Sequence, residues 1–142
     1  MPLINAILDM EFLGAVFFGA MFLGLILVFV LVVYMSAISP LLAKRLDPVL
    51  FNTRWFTISE LGIYTVWPFS LMKILYYVFF ITFPKFSRRK RFKDIPTDLD
   101  ISLNMIILSQ ICLVLYFLTL LCGLVFAVVG GYVYFFYDAP PS

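Results

Sequence analysis

The residues of this 142-residue chain that are best suited to chemistry form one basic run. Six cations lie within nine residues, and such a cluster attracts the phosphates of anionic lipid headgroups at about 1 kcal/mol for each cation near a membrane surface. No nucleic-acid-recognition motif accompanies the run, so we expect no nucleic acid and favour anionic phospholipids or an acidic partner protein. The simplest alternative is that the run only holds its segment on the cytoplasmic side of a membrane. The candidate contact residues are Lys85, Arg88, Arg89, Lys90, Arg91 and Lys93.

Groups suited to catalysis are scarce in this sequence. The chain has no histidine and two cysteines, which excludes His-ligated haem, His-containing zinc sites, Ser/His/Asp triads and a disulfide framework. Cys112 and Cys122 lie about 15 Å apart along one predicted helix, too far for a disulfide within one chain. No Gly-rich phosphate loop, paired catalytic carboxylates or metal-ligand spacing is visible. We therefore expect no enzyme activity and no catalytic, cofactor-binding or metal-binding residues.

The composition determines which elements must position the basic run. Hydrophobic residues make up 64% of the chain and charged residues 13%, and the mean hydropathy is +1.09. A soluble globular domain has roughly a quarter charged and about half apolar residues, so this chain has too few polar side chains to cover a water-facing surface. The composition predicts an all-α integral membrane protein.

Two uncharged runs are long enough to cross a bilayer, which needs roughly 20 apolar residues. The first run contains the almost wholly apolar residues 12–38, and we expect its helix to end near Ser39 and Pro40, because proline fits the start of a new helix better than the interior of an old one. The second run, 101–137, would make a helix of about 55 Å, longer than the hydrocarbon core is thick.

A third apolar stretch, 61–83, is ambiguous by length alone. All ten Lys and Arg residues lie between Lys44 and Lys93, so they share one side of the membrane only if this stretch does not cross. The positive-inside rule therefore favours two spans over the alternative of three. The stretch must then lie in the interface, re-enter the bilayer or be covered by a partner. The expected layout is an external N-terminus 1–11, a transmembrane helix 12–38, a cytoplasmic segment 39–100 with interfacial helices (apolar 61–83, basic 85–93), a long helix 101–137 containing the second span, and an external C-terminus 138–142.

Local signals place helix ends within the central segment. Thr57 and Glu60 have capping-box spacing, so a helix should begin directly after Thr57 and be kinked or interrupted at Pro68. Thr97 and Asp100 have the same spacing before the last helix.

One polar face is predicted beyond Pro68. Ser70, Lys73 and Tyr77 recur at helical spacing, which places them on the same side of a helix. We expect Lys73 to extend its ammonium group from an interfacial helix into the headgroup region, as lysines near membrane surfaces commonly do.

Small and weakly polar residues follow one face of the last predicted helix and part of the first. Such faces allow helix backbones to approach closely in lipid. The two helices would pack either on each other or on another subunit, and a homo-oligomer is possible. The candidate packing residues are Ala15, Gly19, Ala20, Gly24, Ser109, Cys112, Tyr116, Thr119, Gly123, Ala127 and Gly130.

Three short motifs carry a family resemblance. They are Asp47-Pro48-x-Leu50 after the first span, Arg89-Lys90-Arg91-Phe92 in the basic run and Leu121-Cys122-Gly123-Leu124 in the last span. With this layout, the chain resembles the small universal stress protein B type membrane proteins of gammaproteobacteria. The chain departs from them in its greater length, its more apolar 61–83 stretch and its acidic residues before the last span. The resemblance implies a bacterial inner-membrane location, and it supplies no catalytic residues because that family has no established enzyme activity.

These observations lead to three functional hypotheses. The first is a non-catalytic accessory or stabilising subunit of a larger inner-membrane complex, in contact with other integral membrane subunits. The second is a stress-type protein that binds anionic phospholipids at the membrane surface. The third is a small pore-forming or holin-like oligomer.

Overall fold

The computed structural model describes residues 2–90, 92–95, 99 and 101–137. Among these residues, side chains are described from residue 10 to residue 135. Within these residues the chain is all helical, without a strand, as the composition predicts. The helices are α1 (Pro2–Leu50), α2 (Ile58–Ile63), α3 (Ser70–Thr82), α4 (Pro84–Lys90) and α5 (Leu103–Tyr137).

Two of these helices are long and apolar enough to cross a membrane. The qualifying segments are Met10–Leu50, with 41 residues, and Leu103–Phe135, with 33 residues. Both exceed the roughly 20 residues that a crossing requires. The apolar helix α3 has only 13 residues.

The prediction that the first helix ends at Ser39 and Pro40 is wrong, because α1 continues through Pro40 and Pro48 to Leu50. Both prolines lie on the exposed side of the helix. Burial of each leucine on the opposite side contributes about 1.5–3 kcal/mol, comparable with the roughly 3 kcal/mol that an interior proline costs. The buried stripe therefore keeps the helix continuous past both prolines. Its members, three or four residues apart, are Leu31, Met35, Ile38, Leu42, Leu46 and Leu50.

The capping box at α2 is confirmed. Thr57 Oγ1 accepts a hydrogen bond from the Glu60 backbone N–H at 3.3 Å, and Glu60 Oε2 accepts one from the Thr57 backbone N–H at 2.8 Å. The apolar stretch is interrupted around Pro68 as predicted, because α2 ends at Ile63 and α3 begins at Ser70.

The second predicted capping box lies outside the described residues, since Thr97 and Asp100 are not among them. At the start of α5, Ser102 Oγ accepts a hydrogen bond from the Met105 backbone N–H at 3.4 Å. Ser102 thus supplies a side-chain cap to α5.

The chain forms two compact units. The first unit comprises Met1–Val30 and Tyr116–Ser142 and contains the N-terminal part of α1 and the C-terminal part of α5. In this unit the rings of Phe17 and Phe126 stack with centroids 4.6 Å apart.

The second unit, Leu31–Leu115, contains α2, α3, α4 and the adjoining parts of α1 and α5. The Tyr34 hydroxyl donates a hydrogen bond to the Leu108 carbonyl at 3.0 Å, which joins α1 to α5. All the buried side chains with the largest volumes belong to this unit, so the hydrophobic core of the described chain lies here. They include Phe56, Tyr77, Phe80 and Phe92.

Candidate functional site

A buried polar cluster joins α1 to α3. Lys73 and Tyr77 are four residues apart and therefore lie on the same face of α3. The Lys73 ammonium donates to Asp47 Oδ2 at 2.9 Å, and the Tyr77 hydroxyl donates to Asp47 Oδ1 at 2.6 Å. Lys73 Nζ also lies 4.3 Å from the centre of the Phe51 ring, within cation–π range. Each oxygen of the Asp47 carboxylate thus has its own donor.

The electrostatics of this cluster favour a structural role. Burial of Tyr77, reinforced by its hydrogen bond to the Asp47 carboxylate, raises the pKa of the Tyr77 hydroxyl above its ordinary value. The hydroxyl therefore stays protonated at neutral pH and remains a donor. Lys73 and Tyr77 direct their polar groups to the same carboxylate, so the cluster holds α3 against α1.

The expectation that Lys73 extends towards the headgroups is wrong. Its side chain is only 9% exposed, because it is directed to Asp47 inside the second unit. The sequence carries a signal for this pairing: between residues 12 and 93 the only carboxylates are Asp47 and Glu60, and the capping box occupies Glu60. Sequence reasoning missed Asp47 because it placed the helix end at Pro40.

The basic helix α4 is the second candidate site. Lys85, Arg89 and Lys90 are exposed and Arg88 is half-buried, with its Nε atom lacking a hydrogen-bond partner among the described residues. Lys93 is exposed beyond the helix, and Arg91 lies outside the described residues. Ion pairs found in the described part of the chain involve none of these five cations. The structure therefore places four of the six predicted contact residues on one helix, where the described part of the chain supplies no carboxylate partner.

Aromatic contacts hold the C-terminal end of α4 in place. The Phe92 backbone N–H donates to the Ser87 carbonyl at 2.9 Å, and the Phe92 ring lies 5.4 Å from the Phe80 ring. Trp55 Nε1 donates to the Lys93 carbonyl at 3.1 Å. The basic helix is thus attached to the core of the second unit. Sequence reasoning did not anticipate these contacts, because they join segments far apart in the chain.

The predicted packing residues occupy different environments. In the second unit Ser109 and Cys112 are fully buried, and Tyr116, in the first unit, is half-buried. In the first unit an apolar groove of about 380 Å³ is lined by Ala20, Gly24, Thr119 and Gly123, among other residues. Gly130 faces the Phe17 ring, where an added Cβ would lie 3.1 Å from Phe17 Cε2. The exposed members of the set are Ala15, Gly19 and Ala127.

The described residues contain no group of three or more His, Cys, Asp or Glu side chains that could hold a metal ion. Comparison of the chain with protein-family models, with curated proteins and with solved structures gives no match. The resemblance to universal stress protein B type proteins therefore stays a prediction.

Proposed function

We propose that this chain is a non-catalytic, two-span protein of the bacterial inner membrane that binds anionic phospholipids through α4. The observation that carries the proposal is the set of α4 cations without carboxylate partners among the described residues. Cations beside a membrane surface attract anionic headgroups at about 1 kcal/mol each. In this arrangement both termini lie on the non-cytoplasmic side.

The exposed apolar side chains support a membrane location. Large apolar residues such as Phe12, Phe29 and Leu124 lie exposed on α1 and α5, where water would disfavour them and lipid would solvate them. With 13 residues, α3 is about 20 Å long, which is short of the ~30 Å hydrocarbon core. This length supports two spans over three, an arrangement in which all ten basic residues share the cytoplasmic side.

The second unit also carries apolar side chains suited to the interface. Trp67, Phe69 and Phe86 are exposed near the basic helix in sequence, while the inner face of α3 is buried within the chain. Since the chain itself covers that face, α3 needs no partner protein to hide it. Exposed aromatic rings together with cations are typical of a surface that lies at the headgroup level.

The experiment compares lipid preference in charge variants of the full chain. The purified protein is mixed with phosphatidylglycerol and phosphatidylcholine, and native mass spectrometry counts the lipids that remain bound. We expect Lys85→Gln with Arg89→Gln to lower the preference for phosphatidylglycerol about 10-fold, less than the roughly 30-fold that two fully additive contributions of ~1 kcal/mol would give.

The matched control is Lys44→Gln with Arg45→Gln, which removes the same charge from exposed positions of α1. It should lower the preference less than 3-fold. An unchanged preference in the α4 variant, or an equal loss in both variants, would contradict the proposal.

A second candidate function is that of an accessory subunit, and the groove of the first unit favours it. The groove walls include Ala20, Gly24 and Gly123, small residues that would admit a helix of another protein. Mild detergent extraction from native membranes followed by native-gel sizing should then show the chain in a larger complex, from which Gly123→Leu releases it. Migration alone or as a homo-oligomer would oppose this role.

A further inference from the structure

The second unit has an apolar cleft beside α4. Its volume is about 200 Å³, and it opens between α3, α4 and the buried Phe92, two residues beyond the end of α4. We propose that this cleft holds an acyl-chain segment of one anionic phospholipid whose phosphate contacts Lys90, an inference that rests on the lipid binding proposed above. The lining residues are Tyr76, Phe79, Phe86, Ser87, Lys90 and Phe92.

The chemistry of the walls favours hydrocarbon as the occupant. Four of the six lining residues are aromatic, and Ser87 and Lys90 supply the only hydroxyl and ammonium groups besides the Tyr76 hydroxyl. An apolar cavity of ~150 Å³ stays dry and takes up a molecule as large as benzene. A cleft of about 200 Å³ therefore suits several methylene groups and excludes a whole acyl chain, so the remainder of the lipid must lie outside.

The position of Lys90 favours an anionic headgroup. Phe86 and Lys90 are four residues apart on α4, which places an apolar wall and a cation on the same helix face. Lys90 is exposed and has no ion-pair partner among the described residues. A molecule that fits both features has a hydrocarbon part next to a negative group, which is the arrangement of an anionic phospholipid.

The cleft is preformed. Phe92 is 1% exposed and is held by ring contacts with Phe80 at 5.4 Å and with Phe56 at 6.0 Å. Ser87 is buried and its carbonyl accepts the Phe92 backbone N–H, which fixes the floor of the cleft relative to α4. Little conformational entropy is lost on binding to such a wall, so a single lipid can be retained.

Tryptophan fluorescence can report occupancy of the cleft. The chain has two tryptophans, and Trp67→Phe leaves Trp55, whose ring lies 6.3 Å from the Phe92 ring. The full chain with this substitution is placed in nanodiscs that contain phosphatidylglycerol or phosphatidylcholine with brominated acyl chains. Bromine quenches nearby indole rings, so we expect phosphatidylglycerol to quench Trp55 at least 3-fold more than phosphatidylcholine.

Two variants change the cleft and keep its charge. Ser87→Met fills the cleft, and Phe86→Ala removes an exposed wall residue whose loss leaves the core intact. In both variants, phosphatidylglycerol should quench Trp55 less than 1.5-fold more than phosphatidylcholine does. Met72→Ala removes an exposed apolar side chain elsewhere on α3 and serves as the matched control, with quenching unchanged. Thermal unfolding midpoints equal to that of the parent chain show that each variant is folded.

The outcomes separate this inference from the function on which it rests. Unchanged quenching in folded Phe86→Ala and Ser87→Met overturns the cleft, while charge-dependent lipid preference still supports the function. Equal quenching by both lipids in the parent chain also overturns the inference, because it removes the role of Lys90. An unchanged phosphatidylglycerol preference of Lys85→Gln with Arg89→Gln in native mass spectrometry overturns the function itself. A further variant, Lys90→Gln, should abolish the difference between the lipids and leave phosphatidylcholine quenching unchanged.

Discussion

Lys73 and Asp47 depend on each other unequally, because they differ in burial. The Lys73 side chain is 9% exposed, whereas that of Asp47 is 31% exposed. Water and the Tyr77 hydroxyl can still stabilise the carboxylate when the lysine is removed. Among the described residues, the ammonium group contacts the carboxylate and the Phe51 ring. Loss of the acid should therefore cost more than loss of the base.

The first prediction concerns this asymmetry. Asp47→Asn should lower the free energy of unfolding by roughly 3 kcal/mol, since it leaves a buried charge unpaired, and Lys73→Met by about half as much. Thermal unfolding of the full chain in detergent, followed by circular dichroism, measures both. Arg54→Gln is the control, because the Arg54–Asp94 pair is 3.8 Å apart and exposed, so its loss should cost less than about 1 kcal/mol. Equal effects of all three substitutions would contradict a stabilising role of the buried Lys73–Asp47 pair.

The second prediction concerns the pH dependence of the Tyr77 contribution. The raised pKa of Tyr77 means that below pH 10.0, its ordinary value, the hydroxyl is protonated in the folded and unfolded chains, so its stabilisation is fully present. Above that pH the unfolded chain ionises first, and the stabilisation is lost by up to about 1.4 kcal/mol per pH unit. The stability difference between the parent chain and Tyr77→Phe should thus be constant from pH 7 to 9 and shrink from pH 10 to 11.

A substitution outside the cluster provides the comparison. Met72→Ala removes an exposed side chain of α3 that carries no ionisable group, so its difference from the parent chain should not change over the same pH range. If the Tyr77→Phe difference stayed constant up to pH 11, the pKa of Tyr77 would not be raised in the folded chain, which would contradict both its burial and its hydrogen bond to Asp47.

Among the elements, helix starts follow from local sequence more reliably than helix ends. The capping box at α2 could be predicted because its partners, Thr57 and Glu60, are three residues apart and interact without the rest of the fold. The end of α1 could not be predicted from Pro40, since continuation depends on burial of Leu42 and Leu46 against distant segments. Asp47 and Lys73 are likewise far apart in the chain, 26 residues, so local sequence patterns could not predict that they pair.

The third prediction tests the cap of α2. Thr57→Ala removes the side-chain acceptor of the Glu60 N–H, which typically costs about 1 kcal/mol. Because α2 has only 6 residues and none is buried, the loss should appear as local opening. Hydrogen exchange should accelerate about 5-fold at Glu60 and Leu61, while α3 is unaffected. Ser59→Ala, an exposed substitution within the same helix, should leave exchange unchanged.

For the whole molecule, the fourth prediction is the sidedness of the two-span arrangement. Single cysteines are introduced at Glu11, Ile58 and Tyr134, which are exposed, after Cys112 and Cys122 have been replaced by alanine. A membrane-impermeant maleimide added to intact spheroplasts should label Glu11→Cys and Tyr134→Cys. It should label Ile58→Cys only after lysis, because all ten basic residues retain the central segment inside.

Three spans would give a different labelling pattern. The cysteines at positions 11 and 134 would then lie on opposite sides, and only one of them would react in intact spheroplasts. The sequence predicts the all-helical class and the two apolar helices because composition and run length determine both. Sidedness is predicted from the charge distribution, and the labelling pattern measures it.

The glycines of α1 and α5 offer a way to detect neighbouring molecules. An added methyl group at Gly14, Gly19, Gly123 or Gly131 meets nothing within 4 Å, whereas at Gly130 it requires the Phe17 ring to move by a few tenths of an ångström. Within this chain alone, alanine should be tolerated at the first four positions. Alanine can be substituted at each of these positions in cells. If cells do not tolerate alanine at one of the four, another molecule contacts the helix backbone at that position. The pattern of rejected positions would map that contact even when the molecule that makes it has not been identified.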